Sequence, residues 1–185
     1  MTSSFAKIHK EILPELLKHV GSQNILAAPK IDKVIVHVSV GRLVVGQGEK
    51  TLEPYEKDLL RICGQKPARR PAKKSISAFK VRQGMPVGLM VTLRGKRAQD
   101  FFSRLILVAL PRLRDFRGID QKAVDQNGNL TIGIREQTAF PEAANEPTGT
   151  VFGLEVTVVT KAKNREHALG LFKLLRVPFK AQDQV

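Results

Sequence analysis

Few residues in this chain have the type and spacing that bond-making chemistry requires. Gly41-Arg-Leu-Val-Val-Gly46 has the glycine interval of a phosphate-cradling loop, but Gln47 and Gly48 stand where such a loop needs Lys and then Ser or Thr, so the nucleotide-binding reading fails. The four histidines, His9, His19, His37 and His167, share no i, i+4 spacing, and the single cysteine, Cys63, brings no second thiolate, so no zinc ligand set exists. Cys63 lies in an apolar helical run and is expected as a buried thiol. Asp100 and Asp115 stand alone among many cations and are expected to orient arginines; Glu136 beside Arg135 invites the same reading. No catalytic constellation, metal or cofactor is expected.

What the residues do offer is positive charge. The net charge is +14 over 185 residues, and residues 66–117 hold 14 Lys/Arg against 2 Asp/Glu. Scattered solubilising lysines would not concentrate in this way, so a polyanionic partner is indicated. The aromatic inventory decides which kind. With no Trp, one Tyr and nine Phe, several of them (Phe5, Phe101, Phe102, Phe172) at expected core positions, stacking platforms for splayed bases are scarce. Recognition is therefore expected through phosphate, shape and 2′-hydroxyl groups of folded RNA.

The elements that must hold this basic stretch are legible from periodicity. Phe5, Ile8, Ile12 and Leu16, with Leu13, Leu17 and Val20 beside them, form the apolar face of a helix ended by Gly21. Val34 to Val40 alternates strictly, four valines on one face and Ile35, His37 and Ser39 on the other, a strand buried on one side only. Gly41 to Gly48 reads as a flexible connection. Leu52, Tyr55, Leu59 and Ile62 recur at helical spacing before Gly64, with Pro54 near the helix start. Lys66 to Arg82 gives only weak strand signals around Ile76, Phe79 and Val81, as irregular strands joined by long basic loops would. Val87 to Leu93 alternates as a strand, and a helix over Ala98–Leu110 is stopped by Pro111. After the Asn127-Gly128-Asn129 turn come strands over Leu130–Arg135 and around Leu154–Val159, then a last helix that Asn164 can cap. This order predicts an α+β fold, a mainly antiparallel sheet with helices on one face. At 185 residues a single domain is expected, with its basic RNA-binding region at about 66–117. No apolar run approaches the roughly 18 residues of a membrane span, and the N-terminus lacks the make-up of a secretory or transit peptide, so the protein is expected to stay where it is made.

Several strings in series carry a resemblance: Gly64-Gln65-Lys66-Pro67, KSISAFKVRQGMPVG from Lys74 to Gly88, VTLRG from Val91 to Gly95, LPRLRDFRGI from Leu110 to Ile119, and GNLTIGIREQTAFPE from Gly128 to Glu142. In order and spacing they resemble the large-subunit ribosomal protein number five family, in its bacterial or organellar branch, over roughly Phe5 to Lys180. The resemblance implies a curved antiparallel sheet with helices on one side. It also implies a structural role in the central protuberance of the large subunit and contacts with 5S rRNA, 23S-type rRNA and neighbouring ribosomal proteins. Contact with the elbow of peptidyl-site tRNA and an intersubunit bridge to a small-subunit head protein would follow.

The residues expected to meet rRNA are His37, Ser39, Gln65, Lys66, Arg69, Arg70, Lys73, Lys74, Thr92 and Arg94. Lys80, Arg82, Gln83 and Gly84 are expected to face tRNA in a mobile loop, and Arg112, Arg114 and Arg117 the other subunit. The chain departs from the family pattern at His37 and Ser39, where relatives usually carry Asn and then Gly, and at Phe152, where bacterial relatives commonly have a basic residue. The rival classes, a free-standing RNA-binding chaperone and an RNA-modifying enzyme, share the basic stretch but not the ordered motif series.

Overall fold

The computed structural model describes residues 12–18, 20, 21, 23–48, 51–114, 116–144 and 151–180. Phe5, Ile8, His9, His19 and Asp115 lie outside them. Residues 12–18 are helical, and Leu16, on the expected apolar face, is fully buried.

Among the described residues, five strands form one open antiparallel sheet: β1 (Ile31–Ser39), β2 (Ala68–Pro71), β3 (Pro86–Arg94), β4 (Leu130–Ile134) and β5 (Leu154–Thr160), in the order β2-β3-β1-β5-β4. Alternation of side chains across the pleat buries one face. Val34, Val36 and Val38, Leu89, Val91 and Leu93, Leu130, Ile132 and Ile134, and Leu154, Val156 and Val158 all point into the core. The α+β class read from the alternation is the observed one.

The helices are α1 (Gly41–Gln47), α2 (Leu52–Cys63), α3 (Gly95–Arg104), α4 (Pro141–Ala144) and α5 (Arg165–Leu174). Helix α1 corrects an expectation, since Gly41 to Gly48 reads as a flexible connection. Val40 and Val44 are one helical turn apart and both buried, and that shared burial outweighs the glycines at either end. In α2, Leu52, Tyr55, Leu59 and Ile62 are buried as their spacing predicts, Cys63 with them, and Gly64 closes the helix with φ +67. The helix expected to run to Leu110 is α-helical only to Arg104. It continues as a π turn over Leu105–Ala109 and a 3-10 turn over Leu110–Arg112 that contains Pro111. Asn164 occupies the N-cap position of α5, but its side chain makes no capping bond.

The chain divides into two compact units. One takes residues up to Val34, Arg94–Ile132 and Thr157 onward; the other takes Ile35–Leu93 and Gly133–Val156. In the first, Arg165 donates to the carbonyls of Val124 (3.0 Å) and Gln121 (2.8 Å), and Thr160 donates to Gly128 O at 2.7 Å. The Asn127-Gly128-Asn129 turn there is closed by Asp125. Burial, the largest single influence on that carboxyl, pushes its pKa up, but hydrogen bonds from Asn129, Asn127 and Gly128 together hold it below the ordinary value. In the second unit, Gln137 is 3% exposed and its Oε1 accepts from Phe152 N at 2.8 Å, while Gln137 N donates to Phe152 O at 3.0 Å. Phe152 is buried against Tyr55, ring centroids 5.0 Å apart. The aromatic at this position is thus a core residue of the second unit.

Candidate nucleic-acid interface

The second unit gathers most of the expected RNA-facing residues. Because β1 buries Val34, Val36 and Val38, the pleat turns His37 and Ser39 to the opposite, open face. Gly88 of β3 faces the same way, and a Cβ there would lie 2.8 Å from His37 Nε2. Only glycine leaves room for the imidazole. From Gly88 the alternation carries Met90 and Thr92 to the open face, and Gln65 Nε2 donates to Thr92 O at 3.4 Å. Thr92, His37 and Ser39 therefore share one face, and Gln65 is tied to the backbone of the same strand as Thr92.

Strand β2 splits its two arginines between the faces. The ladder pairs Arg70 with Gly88 and Arg69 with Leu89. Arg70 stands beside His37 on the open face, its guanidinium donating to Met90 Sδ at 3.7 Å. Arg69 follows Leu89 to the helix side and donates to Glu56 of α2 at 2.6 Å. A surface pair of this kind contributes about 0–1 kcal/mol, but it orients the charge away from the polar face. Alternation within the short basic run held that information.

Beyond β2 the chain forms a long, irregular hairpin, with an isolated antiparallel bridge between Ile76 and Val81, where the weak strand signals fall. Ala72 N donates to Met85 O (2.8 Å), Gly84 N to Ala72 O (3.0 Å), and Ile76 and Val81 exchange bonds of 2.9 and 3.1 Å. Gln83 N donates to Ser75 Oγ at 3.0 Å. A 3-10 turn over Ser77–Phe79 closes the tip, and Lys80 takes a left-handed conformation with φ +52. Lys66, Lys73, Lys74, Lys80, Arg82, Gln83 and Gly84 are all exposed. So is Phe79, at 71%. That ring is an aromatic platform the residue inventory discounts, and its neighbours Ser77, Ala78 and Lys80, with no second large apolar side chain among them, are the signal for it.

A hollow of about 480 Å³ opens on this surface. His37 and Ser39 line it from β1, Gly41, Arg42 and Val45 from α1, Arg70 from β2, Phe79 and Val81 from the hairpin, and Val87 and Gly88 from β3. Arg42, on the helix expected as a connector, is exposed and lies among the lining residues although the sequence gives no sign of it as a site residue.

The remaining expected residues belong to the first unit. Arg94 lies 3.7 Å from Asp32, which Lys161 also approaches at 3.3 Å. Arg112, Arg114 and Arg117 are exposed in the segment after the π turn, which itself leaves Leu107 70% exposed. Among the described residues no group of His, Cys, Asp and Glu is placed to hold a metal, and no helix is long and apolar enough to cross a membrane.

An open, one-sided sheet carrying cations beside hydroxyl, amide and imidazole groups has the chemistry to meet RNA, and comparison with known proteins gives the family. The family model for ribosomal protein L5 matches residues 24–82, and the model for the C-terminus of the same ribosomal family matches residues 86–179. Large ribosomal subunit protein uL5 of Syntrophotalea carbinolica is 49% identical over 175 residues, 94% of each chain. The uL5 of Acidobacterium capsulatum is 46% identical over 174 residues, 94% of each chain, and that of Roseiflexus castenholzii 43% over 174 residues, 94% of this chain and 96% of its own. The chain belongs to the ribosomal protein L5 family, whose members are structural constituents of the ribosome and not enzymes.

Proposed function

We propose that the protein is a constituent of the bacterial large ribosomal subunit that binds 5S rRNA in the central protuberance through the open face of the second unit. The observation that carries this reading is the grouping of His37, Ser39, Thr92 and Arg70 on one face of the sheet, with Gln65 bonded to the Thr92 carbonyl and Lys66, Lys73 and Lys74 exposed. Imidazole, hydroxyl and amide groups can both donate and accept, which suits 2′-hydroxyl and base edges. The lysines supply phosphate contacts. His37 and Ser39, in place of Asn and Gly, keep this capacity. In the first unit Arg94 is suited to 23S-type rRNA, and Arg112, Arg114 and Arg117 to a neighbouring protein of the small-subunit head. The tip of the hairpin, with Lys80, Arg82, Gln83 and Gly84, is suited to the elbow of peptidyl-site tRNA.

The test is affinity for 5S rRNA as a function of salt. Native protein should lose roughly 10³–10⁵ in affinity between 50 and 200 mM salt if six to ten phosphates are engaged. Lys73→Ala with Lys74→Ala should weaken binding and flatten the log–log salt slope by roughly one unit for each phosphate no longer neutralised. An unchanged affinity and slope in that variant would remove this surface from the proposal. A free-standing chaperone would instead bind unrelated structured RNAs with equal affinity.

A further inference from the structure

We propose that Asn127 is a latent site of spontaneous deamidation, which the folded turn around Asp125 holds off and which, once it occurs, the packing around Gly128 makes irreversible for the fold. Asn127 is exposed, and among the asparagines of the chain it alone precedes a glycine. Glycine matters here because it has no side chain to shield its main-chain nitrogen. In the reaction that nitrogen gives its proton to solvent and attacks Cγ of the Asn127 amide. The new nitrogen–carbon bond closes a five-membered imide, and the side-chain nitrogen takes up a proton and leaves as ammonia. Water then opens the ring. Addition at Cγ restores the original main chain with Asp in place of Asn, whereas addition at the main-chain carbonyl leaves an isoaspartyl residue, through which the main chain is longer by one methylene. In balance one water is consumed and one ammonia released, with no redox partner.

The groups that the attack must free are engaged on both sides of the Gly128 residue. Gly128 N donates to Asp125 O at 3.1 Å, and the Asp125 carboxylate also accepts from the backbone of Gly128. Asn129 fixes that carboxylate in place, its N and Nδ2 donating to it at 2.7 and 2.9 Å. Gly128 O accepts from the buried Thr160 Oγ1 at 2.7 Å. A main-chain nitrogen stripped of its proton would lose these bonds and face a carboxylate of like charge, so the closed turn suppresses the nucleophile. The same packing turns against a chain that has reacted. A Cβ built on Gly128 would lie 2.9 Å from Ala168 Cβ of α5, 3.1 Å from Ala162 Cβ and 3.2 Å from Thr160 Oγ1. Gly128 therefore has no room to shift when a methylene is inserted just before it, and the turn cannot close again over an isoaspartyl residue.

The experiment incubates the full-length chain near neutral pH, folded and in guanidinium chloride, and follows Asn127 by peptide mapping with mass spectrometry, aspartyl and isoaspartyl products being separated by chromatography. The folded chain should react at least about tenfold more slowly than the unfolded one. Asp125→Ala and, separately, Thr160→Val loosen the clamp from two different elements, and each, checked for native circular dichroism, should raise the folded rate roughly threefold or more. Thr160→Ser, which keeps the hydroxyl, should stay at the native rate. Chain aged while unfolded and then refolded should divide: isoaspartyl molecules should melt below the native temperature, whereas aspartyl molecules and the variant Asn127→Asp should melt as native.

Equal rates in folded and unfolded chain, or both clamp variants reacting as slowly as native, overturn the protective role of the turn. Refolded isoaspartyl chain with the native melting temperature overturns the irreversibility assigned to the packing around Gly128.

Discussion

At the scale of single residues, two side chains are held by contacts that substitution can dissect. His37 shares the open face with Gly88, and its Nε2 lies 2.8 Å from where a Cβ would be built. The clashing atom is the far end of a side chain that can swing, so Gly88→Ala should displace the imidazole with little effect on thermal stability. Affinity for 5S rRNA should fall by up to about tenfold, the worth of one net hydrogen bond. Equal affinities with an unchanged melting temperature would show that the imidazole takes no part in binding. Gln137 is a different case, because its Oε1 receives the backbone N–H of Phe152 in a buried setting. Gln137→Leu keeps the volume but leaves that N–H without its acceptor, a cost of about 1–3 kcal/mol. The melting temperature should drop by roughly 2–10 °C for a chain of this size, while RNA affinity of the folded protein should hold. A stability equal to native would mean that another acceptor takes over.

At the scale of elements, the hairpin between β2 and β3 joins an ordered backbone to exposed cations. Its rungs at Ala72–Met85 and Ile76–Val81 do not involve the side chains of Lys80 or Arg82. Lys80→Ala with Arg82→Ala should therefore leave the fold and 5S rRNA binding nearly intact while weakening retention of tRNA in the peptidyl site of reassembled ribosomes. Filter-binding of labelled tRNA to those ribosomes provides the measurement. Failure to bind 5S rRNA with normal tRNA retention would reverse the assignment of the hairpin.

The same element shows what a sequence can and cannot say. Strands β1 and β3 were legible because alternation of Val34, Val36 and Val38, and of Leu89, Val91 and Leu93, is imposed by one-sided burial. The face bearing His37 and Ser39 followed directly. The hairpin was only faintly legible, through the strand signals at Ile76 and Val81, since most of its bonds are between backbone groups and most of its side chains are exposed. Helix α1 was obscured because its two glycines carry the same local signal as a loop, and only the joint burial of Val40 and Val44 separates the two. Arg69 and Arg70 are alike by composition, yet ladder pairing with Leu89 and Gly88 sends them to opposite faces. The exposure of Phe79 depends on what the hairpin fails to cover, and its small and polar neighbours Ser77, Ala78 and Lys80 carry only a faint local trace of it.

At the scale of the whole molecule, β2 stands at one end of the sheet, where one row of backbone donors and acceptors has no neighbouring strand among the described residues. An edge of this kind invites another copy to add a strand, and copies adding in series would polymerise. Here the strand is only Ala68–Pro71, all of it exposed, with two arginines, a proline that has no N–H to offer, and a break of register between Arg70 and Pro71. Like charges on two approaching edges repel, and the proline and the irregularity leave the row of bonds incomplete. With Arg69 paired to Glu56, it is Arg70 that is placed to discourage edge-to-edge approach of two copies. Pro71→Val combined with Arg70→Thr should turn the edge into an adhesive one, with light scattering that grows with protein concentration and subsides when RNA is added, because whatever occupies Arg70's face of the sheet also shields its margin. The four residues of β2 thus gather, in one short strand, the features that discourage strand addition at the sheet's edge.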